Sequence, residues 1–315
     1  MPLTRRHLAE QTRRMGASLA GHAPTAVTDR LRPIARRLRL AAPAGRWSLT
    51  GTPPWKRAPI DTGVAAVCNI CRWQGDAFEG GAHVEFARCP QCGSIARDRF
   101  MHWCFTSRTA DTELARTGLR LLETSPRLGD DYRSWMRRWY DYRASDFDLS
   151  AHRADVQIDL QNIDLPDASL DVVLSSHVLE HVPDTHRALS ELFRVISPRG
   201  RLYLQIPLAW GRTFVPPEPV FHADNTPVFF NFGWDLTDQI RSAGFITTAL
   251  VPEGHLDAVH AGPCGHDPDS DGFDLDDMVT HARIEDLESV ASIDQQRVLG
   301  FEPPWQHVTW ECIRP

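Results

Sequence analysis

Four cysteines stand in two closely spaced pairs in the first third of this 315-residue chain. Cys68 pairs with Cys71 and Cys89 with Cys92, and 17 residues separate the two pairs. Four thiolates at this spacing are the donor set of a structural zinc site, in which sulfur fills every tetrahedral position. Redox-active C-x-x-C motifs are the competing interpretation, but two pairs at this spacing favour zinc. The sequence therefore predicts a zinc ribbon with a closed, structural metal site.

Two histidines, His177 and His181, follow an apolar run that is typical of a buried strand. Histidine exchanges a proton near neutral pH, so both are candidate general bases for a reaction whose acceptor must lose a proton. Their four-residue spacing would place them on one face of a helix. For His181 the alternative is a role in capping or packing that helix.

The pattern of apolar residues from position 118 onward predicts the elements that hold these side chains. Short apolar runs alternate there with amphipathic stretches, which is typical of a parallel α/β sheet. The seven predicted strands are Leu119–Glu123, Tyr140–Ser145, Ala154–Leu160, Leu170–Ser175, Arg201–Pro207, Phe245–Val251 and His307–Ile313. Helices are predicted at residues 94–106, 130–138 and 185–196, and a turn at 197–200. Such sheets bind ligands at the carboxyl ends of their strands.

The formal net charge of −7 is the sum of a basic start and an acidic remainder. Residues 1–60 contain 12 basic and 2 acidic side chains, and the rest of the chain contains 22 basic and 39 acidic ones. A basic segment suggests an anionic partner, whereas the acidic remainder disfavours nucleic acid. We therefore expect a flexible basic extension at 1–60, a ribbon with its linking helix at 61–110, and a larger domain at 111–315 with an acidic insertion at 253–288.

Composition and missing motifs exclude several classes of protein. With 42% hydrophobic and 24% charged residues, the chain is neither fibrous nor wholly disordered. No uncharged apolar run approaches the ~20 residues of a membrane-spanning helix, and no apolar segment follows Arg5 and Arg6 as in a secretory signal. The dinucleotide and P-loop motifs are absent from the sequence. We expect a cytoplasmic protein, and no pattern indicates its oligomeric state.

The stretch 154–207 resembles class I S-adenosylmethionine-dependent methyltransferases. It contains D-x-x-x-x-D-L-P-D-x-S-x-D, then H-V-L-E-H-V-P-D, then R-V-I-S-P-R-G before a buried strand. The ribbon, with C-P-x-C-G-S and the following Arg97 and Arg99, is similar to that of a bacterial subgroup carrying a zinc ribbon before the catalytic domain. The resemblance implies a Rossmann-like sheet of seven strands with the last antiparallel, and S-adenosylmethionine as cofactor.

The resemblance also implies roles for individual residues of the cofactor site. Glu123 matches the acidic residue that ends the first strand, and Asp146 matches the carboxylate that accepts the ribose hydroxyls. The other implied positions are Asp159 and Leu160 at the adenine edge, Ser175 at the end of the fourth strand, and Ser125 and Gly129 in the first loop. That loop carries three alternating glycines in the family, and here Ser125 and Arg127 replace two of them. Glycine reaches positive φ freely, so Arg127 predicts a different path for this loop.

These observations together predict a methyltransferase that acts on a small-molecule or glycan acceptor. An RNA methyltransferase, using the ribbon and the basic extension to grip RNA, is the second hypothesis, and it requires a basic surface on the folded body. A zinc-braced scaffold that no longer binds the cofactor is the third hypothesis.

Overall fold

The computed structural model describes residues 52–56, 59–218, 220–222, 225–270 and 272–315. The basic extension predicted over residues 1–60 therefore lies outside the described residues, except for its last few positions. Within the described part of the chain, no helix is long and apolar enough to cross a membrane.

The cysteine-rich segment forms a small ribbon that leads directly into a long helix. Strands β1 (Ala66–Val67) and β2 (Gln74–Gly75) pair antiparallel, and helix α1 (Ala96–Thr109) follows the second cysteine pair. This helix begins where it does because the Asp98 side chain accepts the backbone N–H of Ile95 at 3.0 Å, which satisfies one of the free donors of the first turn.

The rest of the described chain builds one sheet of eight strands with helices packed against it. Along the chain the strands of the sheet are β3 (Arg120–Thr124), β4 (Asp141–Asp146), β5 (Val156–Gln157), β6 (Leu170–Ser176), β7 (Ile196–Gln205), β10 (Ile246–Pro252), β11 (Leu287–Ala291) and β12 (Thr309–Ile313). Between β7 and β10, strands β8 (Val220–Phe221) and β9 (Pro227–Val228) form a separate antiparallel pair. The helices after α1 are α2 (Asp130–Trp139), α3 (Thr185–Val195), α4 (Leu236–Ser242), α5 (Glu253–Ala261), α6 (Leu275–His281) and α7 (Ile293–Leu299).

The spatial order of the sheet is β11-β10-β12-β7-β6-β3-β4-β5. Strand β12 runs antiparallel to both of its neighbours, β10 and β7, and the other pairs are parallel. Each of the seven predicted strands overlaps a strand of the sheet, and the antiparallel last strand is confirmed. The predicted third strand is much shorter than expected, because only β5 pairs within it.

The prediction of seven strands is wrong by one. The additional strand, β11, lies inside the predicted acidic insertion and pairs in parallel with β10 at the edge of the sheet. Its sequence, LESVA, leaves most of its side chains half-buried or exposed. An edge strand needs backbone pairing on one side only, so it can form without the apolar run that marks a central strand.

The turn predicted at residues 197–200 is also wrong, since strand β7 already begins at Ile196. Ile196 pairs with Leu170 and Arg201 with Val172, so three extra residues bulge out of β7 between these two pairs. Arg199 lies in this bulge with a φ of 64°. The serine, proline and glycine that suggested a turn therefore form a bulge at the start of a strand.

The two faces of the sheet are covered by different parts of the chain. Leu121 and Val172 pack in the same cluster as Phe100 of α1, whereas the next residues along each strand, Leu122 and Val173, pack on the opposite face. This alternation follows from the two-residue period of a strand. The helix that follows the ribbon is therefore part of the core of the sheet domain.

A buried arginine joins the ribbon to this core. Arg99 is fully buried, and its guanidinium donates to the carbonyls of Ala87 at 2.7 Å, Ser94 at 2.9 Å and Leu299 at 2.9 Å. The first two carbonyls belong to the ribbon and the third to α7. Because a buried charge is stable only when it is well hydrogen-bonded, this side chain fixes the ribbon against the sheet domain.

Candidate active site

The carboxyl ends of β3, β4 and β6 meet at one edge of the sheet. Glu123 is the next-to-last residue of β3, Asp146 ends β4, and Ser176 ends β6. Open α/β sheets bind their ligands at this edge. The structure thus brings together at one edge Glu123 and Asp146, both predicted from the sequence.

Glu123 is a half-buried carboxyl held by tyrosines. The Tyr142 hydroxyl donates to its Oε2 at 2.8 Å, and Tyr132 forms a second hydrogen bond to it. Burial raises the pKa of Glu123 to about 7, although these hydrogen bonds act in the opposite direction. A cation bound in the adjoining pocket would favour its ionised form.

The loop after β3 contains the non-glycine residues that replace the expected glycines. Ser125 has a φ of 46°, in the left-handed region, and its N–H donates to the carbonyl of Ser145 at 2.7 Å. Gly129, in contrast, is the N-cap of α2 with a φ of −76°, which any residue can adopt. The positive φ that glycine would supply is therefore taken by a serine.

Asp146 is nearly buried, and both of its oxygens accept hydrogen bonds. The His152 Nδ1 lies 2.7 Å from Oδ2, and the backbone N–H of Asp148 donates to Oδ1 at 3.0 Å. Burial opposes ionisation, but these hydrogen bonds hold the pKa of Asp146 below its usual value. Asp146 is thus an ionised carboxylate at neutral pH. His152 is a neighbour that the sequence analysis missed.

The other predicted cofactor residues lie close to this edge in different settings. Asp159 accepts the backbone N–H of Gln161 at 2.9 Å and so closes a turn after β5, and Leu160 beside it is buried. Ser175 is fully buried and accepts the Thr124 hydroxyl at 3.0 Å. The next residue of β6, Ser176, points to the other side of the sheet and lines the pocket instead.

A pocket opens between the loop after β3, the end of β6 and helix α1. Its lining comes from Asp98, Met101, Glu123, Thr124, Ser125, Pro126, Arg127, Leu174 and Ser176. Helix α1 therefore contributes two side chains to the candidate cofactor site. The sequence analysis predicted this helix only as the linking helix of the ribbon, because no local pattern shows which end of a helix approaches a distant loop.

The two predicted bases lie on either side of a buried glutamate. His177 has a φ of 54° and precedes the short 3₁₀ turn Leu179–His181, so the two histidines do not share the face of a regular helix. Glu180 Oε1 lies 3.9 Å from His177 Nδ1 and 3.8 Å from His181 Nε2. Burial, and next the positive charge of Arg97, hold the pKa of His177 well below its usual value.

Glu180 itself was part of the quoted motif but had no role assigned to it. The residue is only 1% exposed, and its Oε2 has no hydrogen-bond partner within the described residues. Burial raises its pKa to about 8. His181 turns its other nitrogen, Nδ1, towards the Pro227 carbonyl at 2.7 Å, and its ring lies 5.2 Å from that of His222.

The four predicted cysteine ligands converge in the ribbon, with their sulfur atoms all within 4.8 Å of one another. The Sγ atoms of Cys68 and Cys92 are 3.7 Å apart, and those of Cys71 and Cys89 are 3.6 Å apart. Four sulfurs at the usual zinc–sulfur distance of about 2.3 Å would stand about 3.8 Å from one another. The cluster therefore has the size and the donor set that a tetrahedral zinc ion requires.

Comparison with known protein families gives one match within this chain. The methyltransferase domain family matches residues 134–204, which run from α2 to β7. This segment includes Asp146 and both predicted bases.

Two curated relatives from mycobacteria match a similar share of the chain. A protein of Mycolicibacterium smegmatis, named a probable S-adenosylmethionine-dependent methyltransferase, is 34% identical over 113 residues, which are 33% of this chain and 41% of the relative. A protein of Mycobacterium tuberculosis with the same description is 32% identical over 117 residues, which are 34% of this chain and 40% of the relative. The chain thus spans about two fifths of the length of these relatives.

Solved structures that align with this chain are less similar to it in sequence than these two relatives are. An S-adenosylmethionine-dependent methyltransferase from Mesorhizobium loti is 18% identical, with a TM-score of 0.33, over 42% of this chain and 76% of that one. The 1,6-didemethyltoxoflavin-N1-methyltransferase from Burkholderia thailandensis is 19% identical, with a TM-score of 0.32, over 45% of this chain and 66% of that one.

Proposed function

We propose that this chain transfers a methyl group from S-adenosylmethionine to a small-molecule or glycan acceptor, because residues 134–204 match the methyltransferase domain family. The observation that carries the proposal is the position of Asp146. It is an ionised carboxylate inside the matched segment, at the carboxyl edge of the sheet and one strand away from the pocket beside Glu123. The whole chain's activity and its acceptor are both part of this proposal.

Asp146 is suited to hold the ribose of the cofactor. A carboxylate offers about four lone-pair sites, and His152, the N–H of Asp148 and the Ser125 side chain use three of them. The remaining site can accept a ribose hydroxyl group of the cofactor. His152 also fixes the orientation of the carboxylate, so that little conformational freedom is lost when the cofactor binds.

The main task of the chain's own residues is to align the acceptor with the methyl group of the cofactor. S-adenosylmethionine, when bound, supplies a methyl group on a positively charged sulfur, which is a good leaving group. Holding the acceptor in line with that methyl group accounts for most of the rate gain. A base is required only for an acceptor that carries a proton, and His177, kept neutral by its burial, is our candidate.

The loop between β7 and α4 supports an acceptor that has an apolar part. Its side chains Trp210, Phe214 and Phe221 are exposed by 41%, 53% and 51%, and the ring of His222 in the same loop meets that of His181 edge to face. Nucleic acid is the lesser alternative, because the chain beyond residue 60 has a strong excess of acidic side chains. RNA binding that weakens steeply with salt would favour that alternative.

We assign the four cysteines to a structural zinc ion that braces the ribbon against α1. All four ligand positions are sulfur, so the ion would have no open position for a substrate. The Ser94 hydroxyl lies 3.1 Å from Cys92 Sγ and 3.5 Å from Cys68 Sγ, where it can donate to thiolates and stabilise their charge.

Calorimetric titration of the full chain with S-adenosylmethionine tests the proposal. We expect Asp146→Asn to weaken binding about tenfold or more, because a hydrogen-bonded carboxylate is lost. Asp141→Asn is the matched control, since Asp141 is an exposed carboxylate at the opposite end of the same strand. A wild-type chain that binds no cofactor would contradict the proposal. Where binding is observed, a screen of acceptors with a labelled methyl group identifies the class of product.

A further inference from the structure

An ion pair crosses the pocket from helix α1 to the loop after β3. Arg127 Nη1 lies 3.2 Å from Asp98 Oδ2, and both residues line the pocket. The Arg127 side chain is 42% exposed and that of Asp98 12%. Arg127 stands where the family resemblance implies a glycine, so this charge in the pocket is a property of this chain.

Asp98 is held firmly while part of its carboxylate stays available. As the third residue of α1, it accepts the backbone N–H of Ile95 at 3.0 Å through Oδ2, the same oxygen that faces Arg127. Within the described part of the chain, no hydrogen bond reaches its Oδ1. The helix cap therefore fixes the side chain and leaves one oxygen for a ligand.

Arg127 also has unused hydrogen-bonding capacity. Its guanidinium carries five N–H donors, and within the described residues it forms one hydrogen bond, to Asp98. An ion pair this exposed contributes little to stability, so opening it costs little. The pocket thus holds one fixed negative group and one adaptable positive group, side by side.

We propose that Asp98 and Arg127 bind the zwitterionic amino-acid end of the cofactor, with Arg127 taking its carboxylate and Asp98 its ammonium group. This inference rests on the proposed function and names the residues that recognise one end of the ligand. A guanidinium matches a carboxylate with two parallel hydrogen bonds, and a carboxylate oxygen accepts an ammonium proton. The zwitterion would replace one ion pair within the protein by two ion pairs with the ligand.

The assignment gives the ribbon a direct part in cofactor binding. Asp98 belongs to the helix that continues from the ribbon, and its position depends on the cap at Ile95. The replacement of glycine by Arg127 is then a gain of a binding group rather than a loss of the cofactor loop. The alternative is that the pair only fastens α1 to the loop.

Two related ligands separate these alternatives in calorimetric titrations of the full chain. S-adenosylhomocysteine carries the amino-acid end, whereas 5′-methylthioadenosine shares its adenosine and neutral sulfur but lacks that end. We expect wild type to bind S-adenosylhomocysteine at least tenfold more tightly. Arg127→Gln and Asp98→Asn should each weaken S-adenosylhomocysteine about tenfold and leave 5′-methylthioadenosine unchanged.

Decarboxylated S-adenosylmethionine tests the two halves of the site separately, because its amino-acid end retains the ammonium group and lacks the carboxylate. Asp98→Asn should weaken this ligand about tenfold, and Arg127→Gln should not weaken it. Asparagine keeps an oxygen that can accept the Ile95 N–H, so the helix cap survives the substitution. Arg199→Gln is the control, since Arg199 forms an exposed ion pair with Glu113 far from the pocket.

Equal binding of S-adenosylhomocysteine and 5′-methylthioadenosine by wild type would overturn this assignment and leave the proposed function standing. So would variants that weaken both ligands to the same extent, because the pair would then be structural. A chain that binds neither ligand would overturn the proposed function and this assignment with it.

Discussion

Individual residues of the site show which features could be predicted from the sequence and which could not. The glycines that the family resemblance implies after Glu123 reach positive φ freely, and Ser125 adopts a positive φ with a side chain that usually avoids it. Such a conformation persists only where the surroundings enforce it. The partners of Asp98 and Asp146, namely Arg127 and His152, could not be predicted, because each contact depends on how two loops approach in space.

The buried carboxyl of Glu180 makes a prediction about stability and pH. Burial raises its pKa from an ordinary 4.5 to about 8 in the folded chain, and its charged or titratable neighbours include His177, His181, Arg97 and Glu85. The folded state therefore holds this proton more tightly than the unfolded state does. Its stabilising effect is fully present below pH 4.5 and is lost as the pH rises towards 8.

Glu180→Gln should remove this pH dependence. We expect the variant to gain stability relative to wild type as the pH rises from 4.5 to 8, by at most about 1.4 kcal/mol per pH unit, and to keep a constant difference above pH 8. Urea unfolding at pH 5, 6.5 and 8 measures the effect. The raised pKa of Glu123 is common to both proteins and cancels in the comparison. Parallel stability curves for the two proteins would contradict the prediction.

At the scale of elements, apolar periodicity located the central strands and missed the irregular ones. Strands β3, β6 and β7 are buried on both faces, so their apolar runs are visible in the sequence. Strand β11 is an edge strand with acidic and exposed side chains, and the bulge of β7 has the composition of a turn. Both are formed by pairing with a distant strand, and pairing partners leave no local pattern.

The ribbon as an element should depend on its metal. We expect one zinc ion per purified chain, and Cys89→Ser should lose it and destabilise the protein by several kcal/mol, because structural zinc sites contribute directly to folding. Cys264→Ser is the matched control, since Cys264 is an exposed cysteine outside the ribbon. Metal analysis and urea unfolding measure the two effects. Full stability of Cys89→Ser would argue against a structural metal.

Across the whole molecule, one buried carboxylate joins the ribbon's helix to the sheet. Glu311 of β12 is 1% exposed at its side chain and pairs with Arg108 of α1 and Arg201 of β7, while Tyr203 donates to it at 3.0 Å. Arg108 also reaches Glu288 of β11, the strand at the sheet's edge. This network connects three strands and the helix on one face.

Substitutions of two arginines in β7 should therefore differ widely in their effect on the free energy of unfolding. Arg201→Gln removes one of the two arginines that pair with the buried Glu311 and should cost about 1.5–3 kcal/mol, the usual contribution of a hydrogen bond to a charged group. Arg199→Gln removes a pair that is 77% and 55% exposed, and such pairs contribute little. Urea unfolding of both variants measures the difference. Equal losses would show that the Arg201–Glu311 pair contributes no more to stability than an exposed ion pair.

Strand β12 is the last strand of the sheet to be synthesised, yet it lies in its interior between β10 and β7. Until Thr309–Ile313 leaves the ribosome, β10 and β11 have no strand through which to join the others. Glu311, which ties the early helix α1 to the sheet, arrives at the same late moment. The nascent chain therefore carries two part-sheets with unpaired edges until β12 emerges, and insertion of this strand closes the sheet and ends the exposure of those edges to aggregation.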